Sequence, residues 1–236
     1  MLKKIRFPGE AAYFVALIAL AFAVAMTAAS DLGVSMIVAP AYILSLKIDA
    51  LTFGQCEYIV QGLLFLAFCI LMRRPKFVYC SAFLTGLLYG AALDLWRLVV
   101  PHFNPAVTPP GSLALGVRIL YFIGGTLLCA ACIALFFHTY LYPQIYDFFV
   151  KGVSARYRLN RTRFKIAYDA AFLLVACTMS LLLFRKFVGV GIGTLITTAV
   201  NGVLIGFFDR LFGKYFDFTP LFPRFAARFE LTEDGV

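Results

Sequence analysis

The chain has 236 residues, 62% of them hydrophobic and only 14% charged, with a net charge of +9 and a mean hydropathy of +0.90. A soluble domain is about 45–50% apolar and about 25% charged, so composition excludes a water-soluble globule, a disordered chain and a fibre. What remains is an integral membrane protein of one domain, in which basic residues flank membrane segments and set orientation rather than meeting nucleic acid.

In chain order, Lys3, Lys4 and Arg6 precede an apolar stretch longer than the roughly 7–15 residues of a signal-peptide core. It reads as a retained first span over 11–29. Ala12, Ala16, Ala19, Ala23, Ala25, Ala28 and Ala29 crowd it. Small residues four apart permit close helix approach, within the chain, in a homodimer or to a partner subunit. The next apolar run, Leu32–Leu46, carries Gly33 and Pro40 and is short for a crossing. It reads as a re-entrant or interfacial segment. Five more stretches, 55–72, 79–97, 117–139, 165–184 and 191–210, approach the ~20 residues a span needs. The expected fold is an all-α membrane protein with six transmembrane helices. Between the fourth and fifth spans, the loop 140–164 is basic and aromatic, with Tyr146, Phe148, Phe149 and Tyr157. After the sixth, the segment 213–236 places Phe218, Phe222, Phe225 and Phe229 on one stripe with Arg224 and Arg228 between them. That pattern predicts a cytoplasmic, interfacial amphipathic helix with Pro223 in its first turn, and the bilayer as its partner.

Orientation follows from the cations. With six spans and a cytoplasmic N-terminus, sixteen of the 21 Lys and Arg fall inside and five outside, the bias of the positive-inside rule. Both termini are therefore expected in the cytoplasm, with the chain in a bacterial inner membrane.

Sliding the chain on itself by about 110 residues superposes span one on four, two on five and three on six. Phe83-Leu-Thr85 then lies over Leu195-Ile-Thr197, and Pro40 and Pro143 each begin a short segment after the first helix of a half. Three helices per half is an odd number, so repeat 1 (about 11–97) and repeat 2 (about 117–210) would cross in opposite senses. That is the inverted-repeat plan of many transporters, with substrate between the halves.

Polar residues in the spans supply the candidate site. Thr194, Thr197, Thr198 and Asn201 share one face of the sixth helix, which either lines a pathway or hydrogen-bonds across helices. Glu57 and Gln61, four apart on the second helix, share a face near its outer half. Asp94, three residues before Arg97, is expected to pair with it. With Arg118 they would form a cationic outer mouth. Asp169, four from Lys165, is either that lysine's partner or a proton or substrate site. Thr85 coincides with Thr197 in the repeat. The expected substrate site is thus Glu57, Gln61, Thr85, Asp94, Asp169, Thr194, Thr197 and Asn201. The element Gly189-Val-Gly191-Ile-Gly193-Thr194 lacks the strand, spacing and acid of a dinucleotide fingerprint. It marks a tightly packed helix start whose amides could meet an anion. Cys56, Cys69, Cys80, Cys129, Cys132 and Cys177 form no metal-binding pattern and read as small apolar residues. No metal, no cofactor and no enzymatic activity are expected, since no Ser–His–Asp arrangement, HExxH or P-loop occurs.

Asp31-Leu-Gly-Val-Ser35 with Pro40, Thr52-Phe-Gly54, and Phe83-Leu-Thr-Gly86 with Gly90 and Asp94 resemble bacterial membrane proteins of the YczE/YyaS/YitT type. So do Gly189-Val-Gly-Ile-Gly-Thr194 and Asn201-Gly202. The resemblance spans about 11–210 and implies a bacterial inner-membrane protein and a transporter at most, with no substrate or site residue carried over. The expected function is a small-molecule transporter or permease. The alternatives are a substrate-binding subunit of an energy-coupling-factor-type importer and a non-transporting scaffold or regulator.

Overall fold

The computed structural model describes residues 4–73 and 79–227. Six helices are long and apolar enough to cross a membrane: α1 (Gly9–Ser30), α3 (Phe53–Met72), α4 (Cys80–Val99), α5 (Leu115–Phe137), α7 (Arg161–Phe184) and α8 (Ile192–Tyr215). They match the six expected spans to within a few residues at each end. The shorter helices α2 (Ala39–Lys47) and α6 (Ile145–Arg156) lie between the first and second span of each half. Two strands, β1 (Ile5–Pro8) and β2 (Phe216–Thr219), pair in parallel, and the chain ends its described course in the one-turn helix α9 (Pro223–Ala226).

Local chemistry sets these boundaries. Thr52 closes a capping box with Gln55 at the start of α3, and the Asn160 side chain accepts from the Arg163 amide at the start of α7. α1, α3 and α7 stop where Asp31, Arg73 and Arg185 turn left-handed, each cap amide bonding back to a carbonyl three or four residues earlier. Leu63, Leu66, Ile70, Leu174, Leu182 and Val203 stay exposed, the apolar surface that lipid covers in place of water.

α1 is the centre of the molecule. Ala12, Ala16, Ala21 and Ala23 are fully buried, and α1 packs on α5 and α4. The small-residue face is therefore occupied inside the chain. A Cβ at Gly125 of α5 would stand 2.9 Å from the Ala23 carbonyl oxygen, so a glycine there lets the two backbones approach closely. α5 also carries α8, and α3 packs on α4, α2 and α6. α7 leans on α2 and α6.

Both short helices fold back into the protein. Val38, just before α2, shares a cavity with Val24 and Thr27, well inside the end of α1. From there α2 runs outward until Lys47 lies over the Phe184 ring at the end of α7. The segment expected as re-entrant or interfacial thus doubles back among helices, with Ala39, Pro40, Ala41, Tyr42 and Ile43 buried. α6 does the same at the opposite end. It begins beside the second turn of α3, where Tyr146 meets Glu57, and finishes near the other end of α3, where Tyr157 donates to the Leu71 carbonyl. The aromatic residues Tyr146, Phe148 and Phe149, expected in a surface loop, are buried against α3 and α7.

β1 precedes α1 and β2 follows α8, so their pairing puts both ends of the six-helix array on one face, here termed the clasp end. Phe218, expected on an amphipathic helix, instead lies in β2 and stacks on His138 at 4.9 Å. The extended conformation of β2 breaks the helix at Tyr215 because the ladder to β1 satisfies its backbone. Arg228, Phe229 and the rest of that expected helix lie outside the described residues, as do Lys3 and Lys76.

Candidate functional site

The polar residues of the spans fall into three places. The first is on α3. Glu57 and Gln61 are both fully buried. One Glu57 carboxyl oxygen accepts from the Gln61 amide at 3.0 Å and from the Tyr146 hydroxyl at 2.9 Å. The other oxygen of Glu57 and the amide oxygen of Gln61 have no hydrogen-bond partner. Gly86 on α4 makes room for Gln61, since a Cβ there would collide with its amide oxygen. Next to Gly86 on α4, Thr85 shares a 2.6 Å hydrogen bond with Tyr13 of α1 and donates at 3.0 Å to the Tyr142 carbonyl ahead of α6.

The second place is on α8. The Thr194 hydroxyl donates to the Val34 carbonyl at 2.8 Å. Thr197 is buried, and with Asn201 it lines a cavity of about 30 Å³ shared with Thr27, Ser35, Thr126 and Cys129. The Asn201 side-chain oxygen and the Thr126 hydroxyl are unpartnered. The space suits one water molecule, which needs 10–15 Å³ or more and polar partners. Thr198 is exposed, donating to the Thr194 carbonyl at 2.7 Å. The glycine-rich start of α8 is tightly packed: the Gly193 amide donates to Leu32 O and the Gly191 amide to the Thr194 hydroxyl. Those amides are thereby committed within the protein rather than offered to an anion.

The third place is the helix ends. Asp94 does not pair with Arg97. Its carboxylate accepts at 2.8 Å from the Gly54 amide and from the Thr52 hydroxyl, and so binds the start of α3. The α3 amides left open at a helix start are a better partner than a neighbouring guanidinium. Arg97 instead donates to the Phe103 carbonyl and covers the Phe53 ring. Arg118 is likewise engaged, bonding the Ser30 and Asp31 carbonyls and the Asp31 carboxylate at the end of α1. Asp169 lies 3.1 Å from Lys165, which also bridges to Asp147. Asp94→Asn is expected to cost about 1–2 kcal/mol, as a charge-assisted acceptor becomes a neutral one. A lowered thermal midpoint of the purified protein checks it, and an unchanged midpoint contradicts it.

Of the eight residues expected to line one site, Glu57 and Gln61 come together, and Thr197 and Asn201 come together. The pairs lie on opposite sides of the α1–α5 core, because α8 packs on α5 while α3 packs on α4 and α6. Thr85 and Thr194 each hold the chain that leads into a short helix. Tyr146 was not anticipated. The one signal for it was Pro143, which matches Pro40 as the start of a folded-back segment.

Two larger hollows complete the picture. One, of about 470 Å³, opens at the end away from the clasp and is lined by Asp31, Tyr42, Lys186 and Gly189 among others. The other, of about 490 Å³, opens at the clasp end between Thr139, Tyr142, Asp147, Lys151 and Arg161. Burial and the neighbouring Arg161 charge lower the pKa of Lys151, consistent with two cations facing one hollow. The cysteines are all free, with Cys56 and Cys132 buried and Cys80 exposed.

A family model matches residues 8–210, described as a family of unknown function, DUF6198. The chain belongs to the DUF6198 family. The match ends before β2, so the second strand of the clasp lies beyond the family's shared region, and it does not carry the YczE/YyaS/YitT naming. No curated protein matches the chain, and no solved structure does. For this DUF6198 chain, function has to be argued from its own residues.

Proposed function

We propose that the protein transports a small molecule across a bacterial inner membrane, with both termini cytoplasmic and its halves arranged as inverted repeats. The observation that carries this reading is the pair of hollows of similar volume at opposite ends, each beside a folded-back helix. The packing supports it. Exchanging α1 with α5, α2 with α6, α3 with α7 and α4 with α8 turns α1–α4 into α5–α8, α2–α3 into α6–α7 and α3–α6 into α7–α2, all of which occur, whereas the close α3–α4 packing has no comparable α7–α8 counterpart among the described residues. The hydrogen bonds follow suit: Thr85 of α4 holds the lead-in to α6, and Thr194 of α8 holds the lead-in to α2. Such halves, rocking about a central pair, would open one hollow while closing the other.

The experiment has two parts. Lys186→Cys and Lys151→Cys variants should react with a membrane-impermeant thiol reagent from opposite sides, Lys151→Cys from the cytoplasm. Proteoliposomes loaded with a bacterial small-molecule extract should lose at least one solute faster than protein-free vesicles. Labelling of both sites from one side, or identical solute retention, rejects the proposal. Stable co-purification with ATPase subunits would replace it with the importer-subunit reading.

A further inference from the structure

The transporter reading leaves open what the buried carboxyl of α3 is for. Glu57 and Gln61 have no exposed surface, yet each keeps one acceptor oxygen without a partner. Buried polar atoms are overwhelmingly hydrogen-bonded, so two orphans on adjacent turns call for a cause. The two groups share the Glu57–Gln61 hydrogen bond, which holds both free oxygens within the span of one small ligand. Glu57's partners, Gln61 and Tyr146, are neutral donors. Among the described residues no Lys, Arg or His forms an ion pair with it. An intramembrane carboxyl is ordinarily retained with a positive partner or as part of a substrate path.

We infer that Glu57 and Gln61 form the binding point for a cationic, hydrogen-bond-donating group of the transported molecule, a primary amine or amidine. What is missing at this point is positive charge and N–H donors, and an ammonium supplies both: three donors and one charge. An anionic ligand would face the Glu57 carboxyl with no cation to offset it, and a purely apolar one would leave both oxygens unpaired. The geometry also names the gate. The third member of the cluster, Tyr146, is the second residue of the folded-back helix α6, and Tyr142 and Pro143 just before α6 line the clasp-end hollow. Withdrawal of Tyr146 would free a further Glu57 lone pair. The ligand at the free oxygen and Tyr146 at the other are therefore coupled through one carboxyl group.

This inference rests on the transport reading for its purpose but not for its test. Purified full-length protein in lipid nanodiscs is titrated with methylammonium, 1,4-diaminobutane and agmatine, with tetramethylammonium as the cation that lacks N–H. At least one of the three should bind saturably and tetramethylammonium should not. Glu57→Gln, nearly isosteric, should weaken that binding by about 100-fold or more, the scale of removing one partner of a buried charge pair. A measurement on the unaltered chain guards against a misfolded variant: a hydrophobic carbodiimide should modify Glu57, read by mass spectrometry, and the bound amine should slow that reaction. Absence of binding by all three probes, equal binding in Glu57→Gln, or no protection by the amine overturns the inference. Amine binding without solute efflux would reject transport alone. Efflux of an anionic or uncharged solute with no amine binding would reject this site alone.

Discussion

Gly33→Ala is expected to be among the most damaging single-methyl changes in the chain. Gly33 has φ of +113°, a conformation that side chains rarely adopt, and leaving it strained costs about 1–3 kcal/mol. A Cβ there would also stand 2.6 Å from the Thr194 hydroxyl and 2.8 Å from the Gly191 amide. Overpacking of this kind adds about 1–3 kcal/mol. The site joins the two halves, because Leu32 and Val34 on either side bond to Gly193, Thr194 and Gly189. The variant should show a clearly lower thermal midpoint and a reduced monodisperse fraction by size exclusion. Wild-type values for both would mean that this junction is loose.

Gly54→Ala carries the second large effect. Its Cβ would collide with the Gly90 carbonyl oxygen and come within 2.7 Å of the Asp94 carboxyl carbon. Helix α4 would have to back away from α3, and the Asp94 bonds to Gly54 and Thr52 would go with it. The expected loss is about 2–4 kcal/mol, overpacking plus part of a charged hydrogen bond. Gly202→Ala provides the control, since nothing lies within 4 Å of a Cβ at that position. It should leave the thermal midpoint unchanged or slightly raised, as expected for replacing a mid-helix glycine. If both variants behave alike, close packing of α3 on α4 is not what Gly54 provides.

The spans were legible because hydropathy over twenty residues is a strong, local signal. Gly33, Pro40 and Pro143 likewise marked the folded-back segments. What could not be read was which groups meet. Asp94 and Arg97 sit three apart on one helix, and sequence spacing alone favoured their pairing. The structure brings the α3 start, forty residues away, closer to the carboxylate. Thr85 and Thr197 correspond in the repeat, yet correspondence under an inverted repeat relates positions across an axis without bringing them into contact. Tyr146 sat in a segment whose lysine and arginine content suggested a surface loop. Its burial depends on α3 and α7 standing far enough apart to admit α6. The two strands were invisible because four residues beside a long apolar helix carry almost no alternation of their own.

The pairing of β1 with β2 has a bearing on how the molecule is made. Residues 5–8 are synthesised before the six crossing helices described above, and 216–219 only after them. The ladder cannot close until every helix between has been inserted, and it cannot close at all if an odd number have crossed. Their pairing therefore acts as a parity check on biogenesis, satisfied late and only when all six helices are correctly threaded. Until then the N-terminal strand presents an open edge, the kind of surface that recruits wrong partners. Ribosome stalling or truncation short of residue 216 would leave that edge without its strand partner.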